Sequence, residues 1–223
     1  MKAQPFILLS ALLLLALPLT CFSQTSDYSF RSSINLEMKI AKGLKLELAP
    51  EYRLNSSGDA NTMLVQAGLN YKVAKWLSVG GYYRLSGSKI QDTETVGGSS
   101  FDYSNRFAID ANTKISFKRF TTKLRVRFCN FSDFDSQTDD KTNYLRYRLG
   151  LDYNIKGVKL TPYASAEFYQ KLSTGLFSKS RYSIGAEYEL NKHNAISAGY
   201  TFADKFKTNT NYHIFELTYK ITF

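Results

Sequence analysis

The chain has 223 residues, enough for one domain, and its formal net charge of +10 comes from 29 Lys and Arg against 19 Asp and Glu. A basic balance of this kind raises nucleic acid as a partner, but the export signal described next argues against one. Only Cys129 remains once that signal is removed, so an intramolecular disulfide is excluded.

The first 23 residues are typical of a secretory signal peptide. Lys2 is the only charge among the first 24 residues, residues 6–19 are almost all apolar, and Cys21 and Ser23 occupy the −3 and −1 positions of a cleavage site. The apolar run of 14 residues is too short for a membrane-spanning helix, which needs about 20. Lipidation at Cys21 is an alternative, although the preceding residues fit the lipoprotein motif poorly. We predict cleavage after Ser23 and a single mature domain, residues 24–223.

The mature sequence alternates between apolar and polar residues, the period of a β-strand with two different faces. The predicted strands cover residues 28–40, 44–54, 63–73, 76–85, 106–117, 120–129, 144–155, 158–169, 181–190, 194–203 and 212–223. Short turns alternate with long polar loops, the longest predicted at residues 86–105 and 130–143. Pro50 and Pro162 lie inside predicted strands, where we expect bulges or gaps in pairing.

The two faces of these strands differ sharply in charge. When each strand is divided into alternate residues, its apolar face contains no Asp, Glu, Lys or Arg, and the opposite face holds the charges. Hydrocarbon demands such an uncharged face, because Arg or Lys there costs about 2–4 kcal/mol at the membrane midplane. A small soluble barrel also alternates, with its apolar face inside. Aromatic residues near both strand ends and the alternation of turns and loops favour the membrane.

The fold predicted from this pattern is all-β: a transmembrane antiparallel β-barrel with short periplasmic turns and long extracellular loops. We count eleven runs, but bacterial single-chain barrels have even strand numbers. We therefore favour about 12 strands, within a range of 10–12. The alternative is an odd number of strands, in which the N-terminus lies on the opposite side of the membrane from the C-terminus.

The last predicted strand is the clearest one in the chain and ends on an aromatic residue. It resembles the C-terminal strand of Gram-negative outer-membrane barrels, which the barrel-assembly machinery reads. Its apolar face, which would form this assembly signal, consists of Phe215, Leu217, Tyr219, Ile221 and Phe223. The resemblance implies two partners, the assembly machinery and outer-membrane lipid, and a location in the cell outer membrane.

The mature chain as a whole is similar to a widespread family of uncharacterised outer-membrane barrel proteins. The segments that carry this resemblance are residues 51–55, 68–73, 76–84, 144–148, 160–168 and 181–185. The resemblance implies a barrel in the outer membrane and brings no activity with it.

Basic residues on the charged face form the strongest candidate site. Counting from the short turns places most of them in the outer part of the barrel interior. The set comprises Arg53, Arg84, Arg106, Arg127, Arg146, Arg148 and Arg181, together with Glu51 and Glu167. Counting back from the turn at residues 156–157 places Arg146 opposite Glu167. Two interpretations stay open: an ion-pair network that braces the wall, or a basic constriction that binds or passes small anions.

Catalytic and metal sites have weaker signals. Ser32 and His213 lie on the apolar face of the first and last strands and could form the nucleophile and base of a phospholipase-like enzyme. No acid or amide on that face would orient the histidine, so we expect no enzyme. The acidic segment 133–140 could collect Ca²⁺ but lacks the EF-hand pattern. We predict no metal and no cofactor; the solute and the oligomeric state stay open.

Overall fold

The computed structural model of the protein describes residues 25–55, 61–91, 99–133, 142–206 and 210–223, which form one closed β-barrel. The predicted signal peptide lies outside these ranges. Each of the eleven period-two runs corresponds to one strand. The strands are β1 (Thr25–Ala41), β2 (Leu44–Asn55), β3 (Thr62–Lys72), β4 (Leu77–Gln91), β5 (Ser99–Phe117), β6 (Phe120–Asp133), β7 (Thr142–Tyr153), β8 (Leu160–Lys171), β9 (Phe177–Glu189), β10 (Asn194–Lys205) and β11 (Thr210–Thr222).

Consecutive strands pair in antiparallel fashion all the way round, and β1 closes the barrel by pairing with β11 in parallel. The expectation of 12 strands is therefore wrong: the described chain forms eleven. An odd number of up-and-down strands leaves the first and last pointing the same way, so closure requires a parallel ladder. That ladder runs from Thr25 opposite Thr210 to Glu37 opposite Thr222.

The connections divide the barrel into two ends. Residues 42–43, 73–76, 118–119, 154–159 and 190–193 join strands at what we call the turn end. Gly43 has a φ of 80°, the left-handed conformation that a two-residue hairpin turn requires. Residues 56–61, 92–98, 134–141, 172–176 and 206–209 separate strands at the opposite end, which we call the loop end.

Strands extend into the two longest predicted loops. β4 continues to Gln91 and β5 begins at Ser99, so only residues 92–98 lie between them, instead of the predicted 86–105. In the same way β6 reaches Asp133 and β7 begins at Thr142, which narrows the predicted loop at 130–143. These extensions are rich in Ser and Asn and have a broken apolar face, so the ladder with the neighbouring strand is what holds them as strands.

The prolines occupy weak points of the wall. Pairing between β1 and β2 stops after Ser33 opposite Glu51 and resumes at Leu36 opposite Leu48, so the ladder has a gap at Pro50. Pro162 pairs with Ala186 in β9. The ladder between β7 and β8 covers residues 163–171 of β8, so Pro162 has no partner in β7. Both positions suit a residue that has no N–H to donate.

No helix within the described residues is long and apolar enough to span a membrane.

Candidate functional site: the charged lumen

The barrel turns its apolar face outward and its charged face inward. Among the described residues, 42 large hydrophobic side chains are exposed and only seven hydrophobic residues are buried. The most buried charged groups, Asp110 (2 % exposed) and Glu167 (5 % exposed), lie in the interior. The arrangement is the reverse of a soluble barrel, which hides its apolar face inside. The apolar face therefore does not form an inner core in this chain, and the charged side chains are concentrated in the lumen.

Glu167 on β8 is the centre of the largest ionic network. Its Oε1 accepts hydrogen bonds from Arg125 Nη2 at 2.7 Å and from Arg146 Nη2 at 3.0 Å. Its Oε2 accepts from Arg146 Nη2 at 2.9 Å and from the Tyr169 hydroxyl at 3.0 Å. The carboxylate thus has a charged or polar donor on both oxygens, the condition under which a buried charge is tolerated.

The register prediction at this network is wrong by two residues. Arg148 lies opposite Glu167, and Arg146 lies opposite Tyr169. The prediction assumed a tight turn at residues 156–157, whereas β7 ends at Tyr153 and β8 begins at Leu160. Arg146 nevertheless reaches Glu167, because diagonal neighbours on one face of a sheet are within range of a long side chain.

A second buried pair lies on the neighbouring strands. Asp110 of β5 and Arg127 of β6 are opposite each other, and Arg127 Nε donates to Asp110 Oδ2 at 2.8 Å. The guanidinium carbon of Arg127 lies 4.6 Å from the centroid of the Tyr82 ring. Asn112 Nδ2 donates to the other carboxylate oxygen of Asp110 at 2.8 Å. This site holds both charges without exposing either.

The other predicted arginines lie outside these two buried ion-pair networks, among polar side chains. Arg53 Nε donates to Glu51 at 2.6 Å, and Arg148 Nη2 donates to Ser165 at 3.1 Å. Arg84 bonds Gln66, and Arg106 lies opposite Arg84. All seven predicted arginines and Glu51 line one cavity of about 1210 Å³ that extends toward the loop end.

A second cavity of about 1010 Å³ occupies the turn end of the lumen. Eight residues of seven adjacent strands, β1–β7, line both cavities, so the two cavities adjoin along this part of the wall, which we call the shared ring. The ring consists of Asn35, Glu37, Glu47, Asn70, Ser78, Asn112, Arg125 and Arg148. The described lining of the first cavity holds twelve cationic side chains and five carboxylates, and that of the second holds nine and four. Both halves of the lumen are therefore positively charged.

Several lumen residues were missed by sequence reasoning. Arg125, Asp110, Tyr82 and Tyr169 lie on the charged face of predicted strands but were not assigned to the site. Lys179 and Lys205 were missed for another reason: they fall in segments predicted as loops, whereas β9 begins at Phe177 and β10 continues to Lys205.

The structure does not bring the predicted nucleophile and base together. In the β1–β11 ladder, Ser32 lies opposite Leu217 and His213 lies opposite Tyr28. Four residues of strand correspond to about 13 Å. His213 Nδ1 instead shares a hydrogen bond of 2.7 Å with the Tyr200 hydroxyl, and its ring stacks on Tyr28 at 4.9 Å.

Within the described part of the chain, no group of three or more His, Cys, Asp or Glu could hold a metal ion. Most of the acidic segment 133–140 lies outside the described residues. In the last strand, Phe215 and Leu217 are exposed on the outer surface of β11, as is the terminal Phe223.

The fold is similar to several solved structures at low sequence identity. The β domain of the Bordetella autotransporter Brka has a TM-score of 0.49 and 15 % identity, over 81 % of this chain and 82 % of that one. LpxR from Salmonella typhimurium has a TM-score of 0.48 and 11 % identity, over 80 % and 83 % of the two chains. The KdgM porin has a TM-score of 0.47 and 14 % identity, over 79 % and 91 %.

No curated protein sequence matches the chain significantly. One family model, described as a protein of unknown function (DUF2490), matches residues 32–213, which is most of the closed barrel. The chain belongs to this family.

Proposed function

We propose that this protein spans a Gram-negative outer membrane and that its lumen is a narrow passage for small anionic solutes. The observation that carries the proposal is the lumen itself: two cavities of about 1210 and 1010 Å³ that share a ring of residues and both hold an excess of cations.

The outer surface supports the membrane location. On the outward face of the described strands, the charged residues are Lys89 and Asp204, and both lie at the loop end. Strands of 11 to 19 residues are long enough to cross a bilayer, since a tilted transmembrane strand needs about 9–11. Trp76, Phe117 and Phe120 are exposed beside the turn end, where an aromatic girdle would meet the lipid headgroups.

The same proposal includes the partners expected from the sequence. The signal peptide would export the chain, and the apolar face of β11 would be read by the barrel-assembly machinery. The turn end would then face the periplasm, and outer-membrane lipid would surround the exposed apolar belt.

The lumen lining supplies a physical basis for anion preference. Paired groups such as Arg127 with Asp110 hold the wall in shape, while the surplus cations raise the potential of the passage. A ring of charged side chains selects ions of opposite sign in other channels. The shared ring itself holds two cations, Arg125 and Arg148, and two carboxylates, so the excess of positive charge lies in the cavities on either side of it.

The test is conductance of the purified barrel in a planar lipid bilayer under a KCl gradient. We expect a reversal potential whose sign reports chloride as the preferred ion. Arg148→Glu in the shared ring should reduce or reverse this preference, whereas Lys156→Glu, the same charge change at an exposed turn, should leave it nearly unchanged. Silent bilayers over a wide voltage range would leave only a structural role in the envelope.

A further inference from the structure

We propose that Lys179, Arg181 and Lys205 form a binding site for a phosphate group in the loop-end half of the lumen. The assignment rests on the proposed anion passage and deepens it by naming the class of solute: small phosphorylated compounds or phosphate itself.

The three cations lie close together on two adjacent strands. Lys179 of β9 and Lys205 of β10 are direct register partners, and Arg181 is two residues further along β9 on the same face. The Lys205 ammonium donates to the Tyr212 hydroxyl at 2.9 Å and lies 4.6 Å from the centroid of that ring. The Lys179 ammonium lies 5.9 Å from the same centroid, so both lysines converge on one tyrosine.

A second tyrosine gathers the rest of the site. The ring of Tyr169 lies 5.5 Å from the Lys179 ammonium and 5.4 Å from the Arg181 guanidinium carbon. Arg146 contacts the same ring at 4.6 Å. The face of an aromatic ring attracts a cation. These contacts therefore position the three side chains but do not neutralise their positive charge. All three residues of the proposed site line the larger cavity.

Within the described ranges, no carboxylate forms a salt bridge with this group. Among the described residues, the salt bridges join other cations, and none involves Lys179, Arg181 or Lys205. Glu167 lies directly opposite Arg181. Its two oxygens, however, already accept from Arg125, Arg146 and Tyr169. Arg181 Nε is buried and makes no hydrogen bond within the described structure.

Such an arrangement stores repulsion that a bound anion would relieve. Like charges directly opposite on a sheet destabilise it, and buried charges cost free energy unless they are paired. The described wall therefore holds three cationic donors close together without a carboxylate in salt-bridge contact with them.

The donor set favours a phosphate group over a carboxylate. Two ammonium groups and one guanidinium extend from two adjacent strands, and each requires its own acceptor oxygen. A phosphate group offers at least three oxygens in a tetrahedral arrangement and up to two negative charges. A carboxylate offers two oxygens in one plane, which suits a single arginine fork better than three separate donors.

The test is direct binding to the purified, folded barrel in detergent, measured by calorimetry at constant ionic strength. The probes are inorganic phosphate and pyrophosphate, with acetate as the carboxylate control. We expect saturable phosphate and pyrophosphate binding and at least about tenfold weaker acetate binding. Lys179→Gln and Lys205→Gln should each weaken phosphate binding by about tenfold or more, the equivalent of losing one charged hydrogen bond. Lys118→Gln, at an exposed turn of the opposite end, should match the wild type.

A second readout guards against misfolded variants. Phosphate should raise the unfolding midpoint of the wild type and of Lys118→Gln, and should raise that of the Lys179→Gln, Lys205→Gln double variant much less. Equal binding by wild type and the folded double variant would overturn the site, as would equal affinity for acetate or no phosphate binding at all. Conductance tests the passage separately from the binding site. If the barrel binds phosphate but does not conduct, the proposed passage is refuted and the binding site stands. If the barrel conducts but does not bind phosphate, the binding site is refuted and the passage stands.

Discussion

Replacing Glu167 with Gln should strongly destabilise the barrel. The substitution keeps the size of the side chain but removes the charge that Arg125 and Arg146 share. Those two arginine side chains are only 19 % and 10 % exposed, so neither can rely on solvent instead. Removing one partner of a buried ion pair costs about 3–5 kcal/mol. Because the network borders an open cavity, solvent screening places the expected loss at the lower end, about 3 kcal/mol.

The assay is urea unfolding of the barrel in phospholipid vesicles, followed by the fluorescence of Trp76. This residue is the only tryptophan of the chain, and it lies exposed on the outer surface beside the turn end. Glu189→Gln, an exposed carboxylate on β9, is the matched control and should change the unfolding free energy by less than about 0.5 kcal/mol. If Glu167→Gln also stays within that limit, the arginine network does not brace the wall.

Three further predictions address packing, the outer surface and assembly. Gly185→Ala should cost about 1–3 kcal/mol, because a Cβ there would lie 2.5 Å from a backbone oxygen and from the Tyr163 hydroxyl. Gly81→Ala, where the same atom meets nothing within 4 Å, should be neutral or stabilising in the same urea titration. Leu149→Arg, on the exposed apolar belt, should cost about 2–4 kcal/mol in vesicles, and an unchanged midpoint would contradict the lipid-facing assignment. Phe223→Ala should lower the amount of folded barrel in outer-membrane fractions relative to total protein; an unaltered ratio would remove the assembly role of that residue.

The sequence was sufficient for the features that depend on local alternation. A period of two identifies each strand and separates its faces, so the eleven runs and the inward position of Arg53, Arg84 and Arg127 follow from neighbouring residues alone. It was not sufficient where hydrogen bonding with a distant strand decides. The extensions of β4 and β5 around residues 86–105 have an outward face in which Phe101 and Tyr103 alternate with polar or small residues such as Gly87, Lys89 and Asn105, and they are held by their mutual ladder.

Register and closure also depend on information that a local pattern does not contain. A connection longer than a tight turn shifts Arg146 from Glu167 to Tyr169 without altering which face either residue occupies. The parity rule for bacterial barrels was applied to a chain whose first and last strands pair in parallel, so it gave the wrong strand number. Lys179 and Lys205 were missed because the ends of β9 and β10 were assigned to loops.

The parallel pairing of β1 and β11 has a topological consequence for labelling the protein in cells. Because the barrel has an odd number of strands, β1 begins at one end of the barrel and β11 finishes at the other. A peptide tag placed before β1 and a second tag placed after β11 would therefore lie on opposite sides of the membrane. In a barrel with an even number of strands, the two tags would lie on the same side. With the turn end toward the periplasm, as proposed, intact cells should expose the leading tag to antibody and shield the trailing one, which surface staining before and after permeabilisation would reveal.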